Sequence, residues 1–174
     1  MSDPAPQPQG QSIVLGPDGG RVVALGEAAA VTLKAVSDET GGTMSAYECV
    51  VPPATAGPPE HFHRSWDEAF YVLAGEMTFL VGDQTHTAPA GSFVFIPRGV
   101  LHTFWNESDA PARQLTVFTP AGIEDYFDAV SQVIAAGGDD SLEGAIALME
   151  QHDMVVAANT REAYGALQPR RSTS

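Results

Sequence analysis

The stretch His61-Phe62-His63-Arg64-Ser65-Trp66-Asp67-Glu68-Ala69-Phe70-Tyr71-Val72-Leu73-Ala74-Gly75 decides the fold, together with a later one, Gly91-Ser92-Phe93-Val94-Phe95-Ile96-Pro97-Arg98-Gly99-Val100-Leu101-His102-Thr103-Phe104-Trp105-Asn106. In an extended strand residues i and i+2 project to the same side, so the imidazoles of His61 and His63 can reach one ion at about 2 Å from each nitrogen. Taken alone, that pair reads as two solvent-facing residues on a strand edge. The loop Arg64 to Asp67 then leads into a strand opening on Glu68, whose carboxylate can point inward beside the histidines. In the second stretch a strand, a Pro97/Gly99 turn and a further strand starting at His102 follow one another. Proline fixes φ and glycine accepts positive φ, which together reverse the chain tightly enough to return His102 across a barrel.

Working outward, alternation puts Glu68, Phe70 and Val72 on one face of their strand and Ala69, Tyr71 and Leu73 on the other. Both faces are largely apolar, which suits a barrel or sandwich whose outer face is also covered. Gly75-Glu76 marks a corner, Met77 to Val81 the returning strand and Gly82-Asp83 its turn. Gly16 to Gly20, Gly41-Gly42, Pro52-Pro53 and Gly57-Pro58-Pro59 break the earlier chain into short Val-, Tyr- and Thr-rich segments, the pattern of an antiparallel all-β domain. No helical period precedes residue 120. Beyond it, Ile123, Tyr126, Phe127, Val130, Val133 and Ile134 form a helical stripe ending at Gly137-Gly138. Asp140 or Ser141 opens a second helix running to about Gln151. These helices are expected to pack outside the barrel as cover for exposed sheet rather than as a lid. The organisation is thus a tail over 1–11, a β-barrel over 12–120, a helical extension over 121–167 and a second tail over 168–174.

The chain has 174 residues with 44% hydrophobic content, enough for one core of ordinary size. Its formal net charge is −14, from 8 Lys+Arg against 22 Asp+Glu, so a phosphate backbone or anionic membrane would be repelled and neither is expected as a partner. Cys49 is the single cysteine, which excludes an intrachain disulfide and a thiolate-rich zinc knuckle. Met1 to Gln11 lacks the basic region and apolar run of a secretory signal, and no stretch approaches a membrane span; a cytoplasmic chain is expected.

The two stretches carry a family resemblance. The chain resembles the cupins, whose motifs are written G-x5-H-x-H-x3,4-E-x6-G and G-x5-P-x-G-x2-H-x3-N. His61, His63, Glu68 and Gly75 fall at the spacing of the first, and Gly91, Pro97, Gly99, His102 and Asn106 at that of the second, over roughly residues 43 to 120. The opening glycine of the first motif would fall at Thr55, with Gly57 nearest, so the loop entering His61 is shaped differently. A shorter gap after His63 would select Asp67 as acidic ligand; Glu68 alone completes the spacing to Gly75. The resemblance implies a jelly-roll barrel, the cupin double-stranded β-helix, with one divalent transition metal ion held by His61, His63, Glu68 and His102.

Three neutral imidazoles and a carboxylate suit Fe, Ni, Mn, Co or Zn and leave coordination positions for a small molecule. If these four residues face inward, parity also turns Phe70, Val72 and Phe104 inward, with Phe93 or Phe95 and Tyr47 or Cys49 as neighbours, an apolar and aromatic substrate pocket. His86 and His152 have no partner at ligand spacing and read as surface residues; Trp66 and Trp105 read as packing or interface residues. The segments Glu68 to Glu76 and Phe118 to Gly122 with the helix after it look like small one-cupin relatives of the quercetinases. That likeness implies a metal-dependent dioxygenase acting on a small hydrophobic, enolisable substrate, with Glu68 as proton acceptor. A metal-dependent cyclase, isomerase or dehydratase and a non-catalytic binding protein are the alternatives, and a homodimer is the expected assembly.

Overall fold

A computed structural model describes residues 10–26, 29–138 and 141–158. The tail over 168–174, most of the tail over 1–11, Asp140 and the end of the proposed extension lie outside the described residues. Among the described residues twelve strands and three helices follow in the order β1 (Arg21–Ala24), β2 (Ala30–Ala35), α1 (Ser37–Thr40), β3 (Ser45–Val51), β4 (Thr55–Ala56), β5 (His61–His63), β6 (Asp67–Ala74) and β7 (Glu76–Val81). The chain continues with β8 (Gln84–Pro89), β9 (Phe93–Ile96), β10 (His102–Asn106), β11 (Ala112–Thr119), α2 (Ile123–Ala135), α3 (Leu142–Gln151) and β12 (Met154–Val156).

The strands form two facing antiparallel sheets, ordered β1-β2-β3-β11-β6-β9 and β12-β5-β10-β7-β8, with β4 added on β10. This is the expected all-β jelly-roll barrel. Alternation along β6 buries Glu68, Phe70 and Val72 against the opposite sheet, as the sequence pattern requires. Phe70, Phe79 and Met77 are at most 1% exposed at the lower end of the barrel, each contributing about 1.5–3 kcal/mol by leaving water. A second cluster, with Tyr47, Trp66, Phe118, Ile123, Phe127, Met149 and Met154, fills the other end. The buried cluster of His61, His63, Glu68 and His102 sits between the two.

Two local features differ from the sequence reading, and a third, noted there, finds its reason. A single helical turn, α1, appears before residue 120, too short to leave a period in the sequence; the Glu39 carboxylate accepts the Val36 N–H at 3.2 Å. The departure of the first motif has a steric reason: a Cβ on Gly57 would lie 1.7 Å from the Phe104 carbonyl oxygen, so the loop into β5 crosses β10 where only glycine fits. Finally, the C-terminal elements do more than cover the outside. Ile123, Phe127, Met149 and Met154 join the core cluster of Tyr47 and Phe118, and β12 becomes an edge strand paired with β5. The buried Glu124 anchors this region, accepting from Ser37 N–H at 2.6 Å and from the Ser45 hydroxyl. Ser141, one of the two expected starts of the second helix, caps α3 by accepting the Gly144 N–H at 3.1 Å. No described helix is long and apolar enough to cross a membrane.

Candidate metal centre

His61 and His63 project from β5, Glu68 from β6 and His102 from β10, and register brings them together: His61 lies opposite His102 across the β5–β10 pair. All four are buried, and their ligand atoms lie within 4.8 Å of one another. The imidazole centroids are 4.6 Å apart for His61 and His102, 4.9 Å for His61 and His63, and 5.4 Å for His63 and His102.

Two histidines are oriented by the same local device. Nδ1 of His61 donates to the Pro59 carbonyl at 2.7 Å, and Nδ1 of His102 donates to the Val100 carbonyl at 2.9 Å. In each case the acceptor lies two residues upstream, so the turn before the strand fixes the ring and directs Nε2 to the centre. His63 is held instead by the rings of Phe118 and Trp66, with centroids at 5.3 and 5.5 Å; its buried Nδ1 meets no hydrogen-bond partner among the described residues. Glu68 Oε2 lies 2.9 Å from His102 Nε2 and 3.2 Å from His63 Nε2.

The electrostatics follow from burial and this contact set. Burial, with the neighbouring His102 and His63, lowers His61 to about 3, keeping it neutral and ready to ligate. Burial pushes Glu68 upward, but the hydrogen bonds from His102 and His63 outweigh it and hold the carboxyl at about 2. Burial also disfavours charge on His102, yet its contact with the Glu68 carboxylate raises its pKa. The same His102 nitrogen that faces Glu68 is the one a metal would take, so a proton and a metal ion would compete for it. Buried imidazole nitrogens fixed from behind, converging with an ionised carboxylate, fit a divalent transition metal ion.

Asp67, the other acidic residue considered from spacing, turns outward. Its carboxylate accepts the Arg98 backbone N–H at 2.9 Å and Nε at 3.0 Å through one oxygen, and a terminal guanidinium nitrogen at 2.8 Å through the other. Asn106, the last motif residue, is structural: its amide donates to the carbonyls of Val51, Pro52 and Ala110 at 2.9 to 3.1 Å.

Beside the cluster lies a cavity of about 260 Å³, whose lining includes His61, His63 and Glu68 but not His102. The rest of the wall is mostly apolar. Of the expected pocket residues, Tyr47, Cys49 and Phe104 line it. Phe70 and Val72 do not: they lie one and two inward steps along β6 from Glu68, and the rings of Phe79 and Phe104, at 5.0 and 5.5 Å from Phe70, close over that end. Phe93 and Phe95 are a correction, being 66% and 55% exposed. In β9 it is Ile96 and Val94 that stand opposite Glu68 and Phe70, so the phenylalanines share the outer face with Tyr71 and Ala69. Missing from the sequence reading were Phe118, opposite Glu68 in the β6–β11 register, and Ile123, Phe127, Met149 and Met154 from the extension. The helical stripe named two of them but not what they faced. Burial pushes the Cys49 thiol up to about 12, so it stays protonated.

Residues 47–118 match the family model of the cupin domain, and that match spans both histidine motifs. The chain carries a cupin domain. Among solved structures the cupin is similar to KdgF from Halomonas sp., at 14% identity and a TM-score of 0.55 over 64% of this chain and 97% of that one. It is similar also to an RmlC-like cupin from Shewanella frigidimarina, at 19% identity and a TM-score of 0.54 over 66% and 97%. These likenesses concern the fold. An uncharacterized protein of Streptomyces coelicolor is 39% identical over 54 residues, 31% of this chain and 50% of that one; the chain thus spans half the length of this curated relative. The extension from α2 to β12 lies outside the stretch matched by the family model.

Proposed function

We propose that this cupin is a metal-dependent enzyme acting on a small, largely apolar, enolisable organic molecule, most specifically a quercetinase-like dioxygenase. One observation carries the reading: a mostly apolar cavity of about 260 Å³ has its imidazoles and its carboxylate, those of His61, His63 and Glu68, gathered at the ligand cluster. A molecule held there by its hydrocarbon body would present one oxygen-bearing end to the cluster. A bound divalent ion would supply Lewis acidity, stabilising an enolate or phenolate oxygen, and in the dioxygenase case a site for oxygen chemistry. Tyr47, Phe104 and Phe118 exclude water and orient the substrate from the barrel side. Glu68 takes the proton from the substrate hydroxyl or α-carbon onto a carboxylate oxygen. Ionised in its buried position, Glu68 is a proton acceptor at the edge of the cavity.

Elemental analysis of protein purified without added metal, followed by an oxygen-electrode assay over a flavonol panel, tests this. Bound iron, nickel, manganese or cobalt with oxygen uptake is the expected result. Turnover of an enolisable substrate without uptake would replace the dioxygenase by a cyclase, isomerase or dehydratase. Metal and ligand binding without turnover of flavonols or other enolisable substrates would leave a binding protein.

We propose further that the protein is a homodimer through the outer face of the sheet at β9. On a chain of net charge −14, the neighbouring residues Tyr71, Phe93, Phe95, Ala69, Leu115 and Val117 form an uncharged apolar surface beside an open strand edge, which a second copy matches by antiparallel pairing. Sedimentation equilibrium is expected to give a dimer that Phe93→Lys/Phe95→Glu converts to monomer; a monomeric native chain would discard this surface.

A further inference from the structure

Strand β5 carries two of the four ligands yet is only three residues long, and it leans on its neighbours unequally. Toward β10 it makes one register pair, His61 with His102, plus the Gly99 N–H to the His63 carbonyl at 2.8 Å. Toward β12 it is paired along its whole length, Met154 with His63, Val155 with Phe62 and Val156 with His61. The Ala157 N–H extends this pairing to the Glu60 carbonyl at 2.9 Å. Where β12 begins, Asp153 closes the loop that leads from His63 to Glu68. Its carbonyl accepts the Arg64 N–H at 3.3 Å, its carboxylate accepts the Ser65 N–H at 2.7 Å, and the Ser65 hydroxyl lies 3.4 Å from the other oxygen. Asp153 holds a left-handed backbone, φ 67°, a conformation a non-glycine residue adopts at some cost and one that places carbonyl and carboxylate on the same loop. Arg98, clamped by Asp67, is close enough to Asp153 to feel its negative charge.

We infer that Asp153 and β12 form a clamp that positions the His61–His63 strand and its loop to Glu68, making Asp153 a positioning residue of the metal centre from outside the matched cupin stretch. The inference rests on the metal-dependent reading of the site. Three of the four ligands are fixed in place by the elements Asp153 joins: His61 and His63 on β5 and Glu68 at the end of the loop Asp153 closes. Groups that orient ligands from behind are worth about 10–100-fold in metal affinity when removed. The clamp should act on affinity and ligand geometry, because Asp153 itself donates nothing to the ion.

Co(II) is the probe, with affinity measured in the full chain by competition with a chelating indicator. Asp153→Gly keeps the left-handed backbone and removes the carboxylate; Asp153→Asn keeps an acceptor oxygen and tolerates the same φ. Asp153→Gly is expected to weaken Co(II) binding at least about tenfold and to alter the visible absorption of the bound ion, while Asp153→Asn restores both. In the native chain Co(II) should slow amide exchange at Met154 to Val156, since coupling between clamp and ion is reciprocal; this measurement decides the matter even if Asp153→Gly does not fold. Native Co(II) affinity and spectrum in Asp153→Gly, or unchanged exchange at residues 154–156, would overturn the clamp alone. No Co(II) uptake by the native chain would overturn the metal centre and the clamp with it.

Discussion

Glu68→Gln is expected to lower turnover at least about a hundredfold while keeping a substantial share of the bound metal, the scale usual for loss of a general base. The replacement preserves size and one carbonyl oxygen, and leaves three imidazoles at the centre, but it cannot accept a proton. Glu68 is 3% exposed, so bulk solvent has little access to replace the lost carboxylate. Asp67→Asn is the control. Its carboxylate is directed to Arg98 on the outside of the barrel, so metal content and turnover should stay near native. Turnover unchanged in Glu68→Gln and abolished in Asp67→Asn would reverse the assignment. If both variants kept native activity, the carboxylate would have no part in the mechanism.

The second large effect is on metal content. His102→Ala should lose most of the bound ion, read by elemental analysis after dialysis, because it removes the ligand that joins β10 to β5 and β6. The chain should nevertheless fold, with a cooperative thermal transition followed by circular dichroism. Its two apolar clusters, around Phe70 and Phe79 at one end and Tyr47 and Phe118 at the other, contain no member of the ligand set. Unfolding of the variant would mean that the ion holds the barrel together. Retention of full metal content would mean that the remaining three ligands suffice.

The barrel and the candidate ligand set were legible through the resemblance to the two cupin motifs, and local rules agree with it. Period-two alternation fixes which face of β6 turns inward, and the proline and glycine turn fixes how His102 returns. What was not legible depended on register and on elements far apart in sequence. Phe93 and Phe95 alternate with Val94 and Ile96, so either pair satisfies the pattern; only the pairing of Ile96 with Glu68 decides between them. Asp67 and Glu68 posed the same one-residue question, which the Arg98 contact answers from across the sheet. The stripe on α2 announced an apolar face without its partner, and β12, three residues long, is below the length at which alternation carries information.

The cavity walls have two origins, with a consequence for how such a protein can diverge. The ligands come from one continuous stretch between His61 and His102, whereas Ile123, Phe127 and Met149 come from helices encoded later in the chain. Substitutions in α2 and α3 can reshape what the cavity admits while leaving reactivity at the ligands untouched, provided Asp153 and β12 are kept. A library confined to those helix positions would therefore change what the cavity admits without changing the ligand cluster, so the two can be inherited separately.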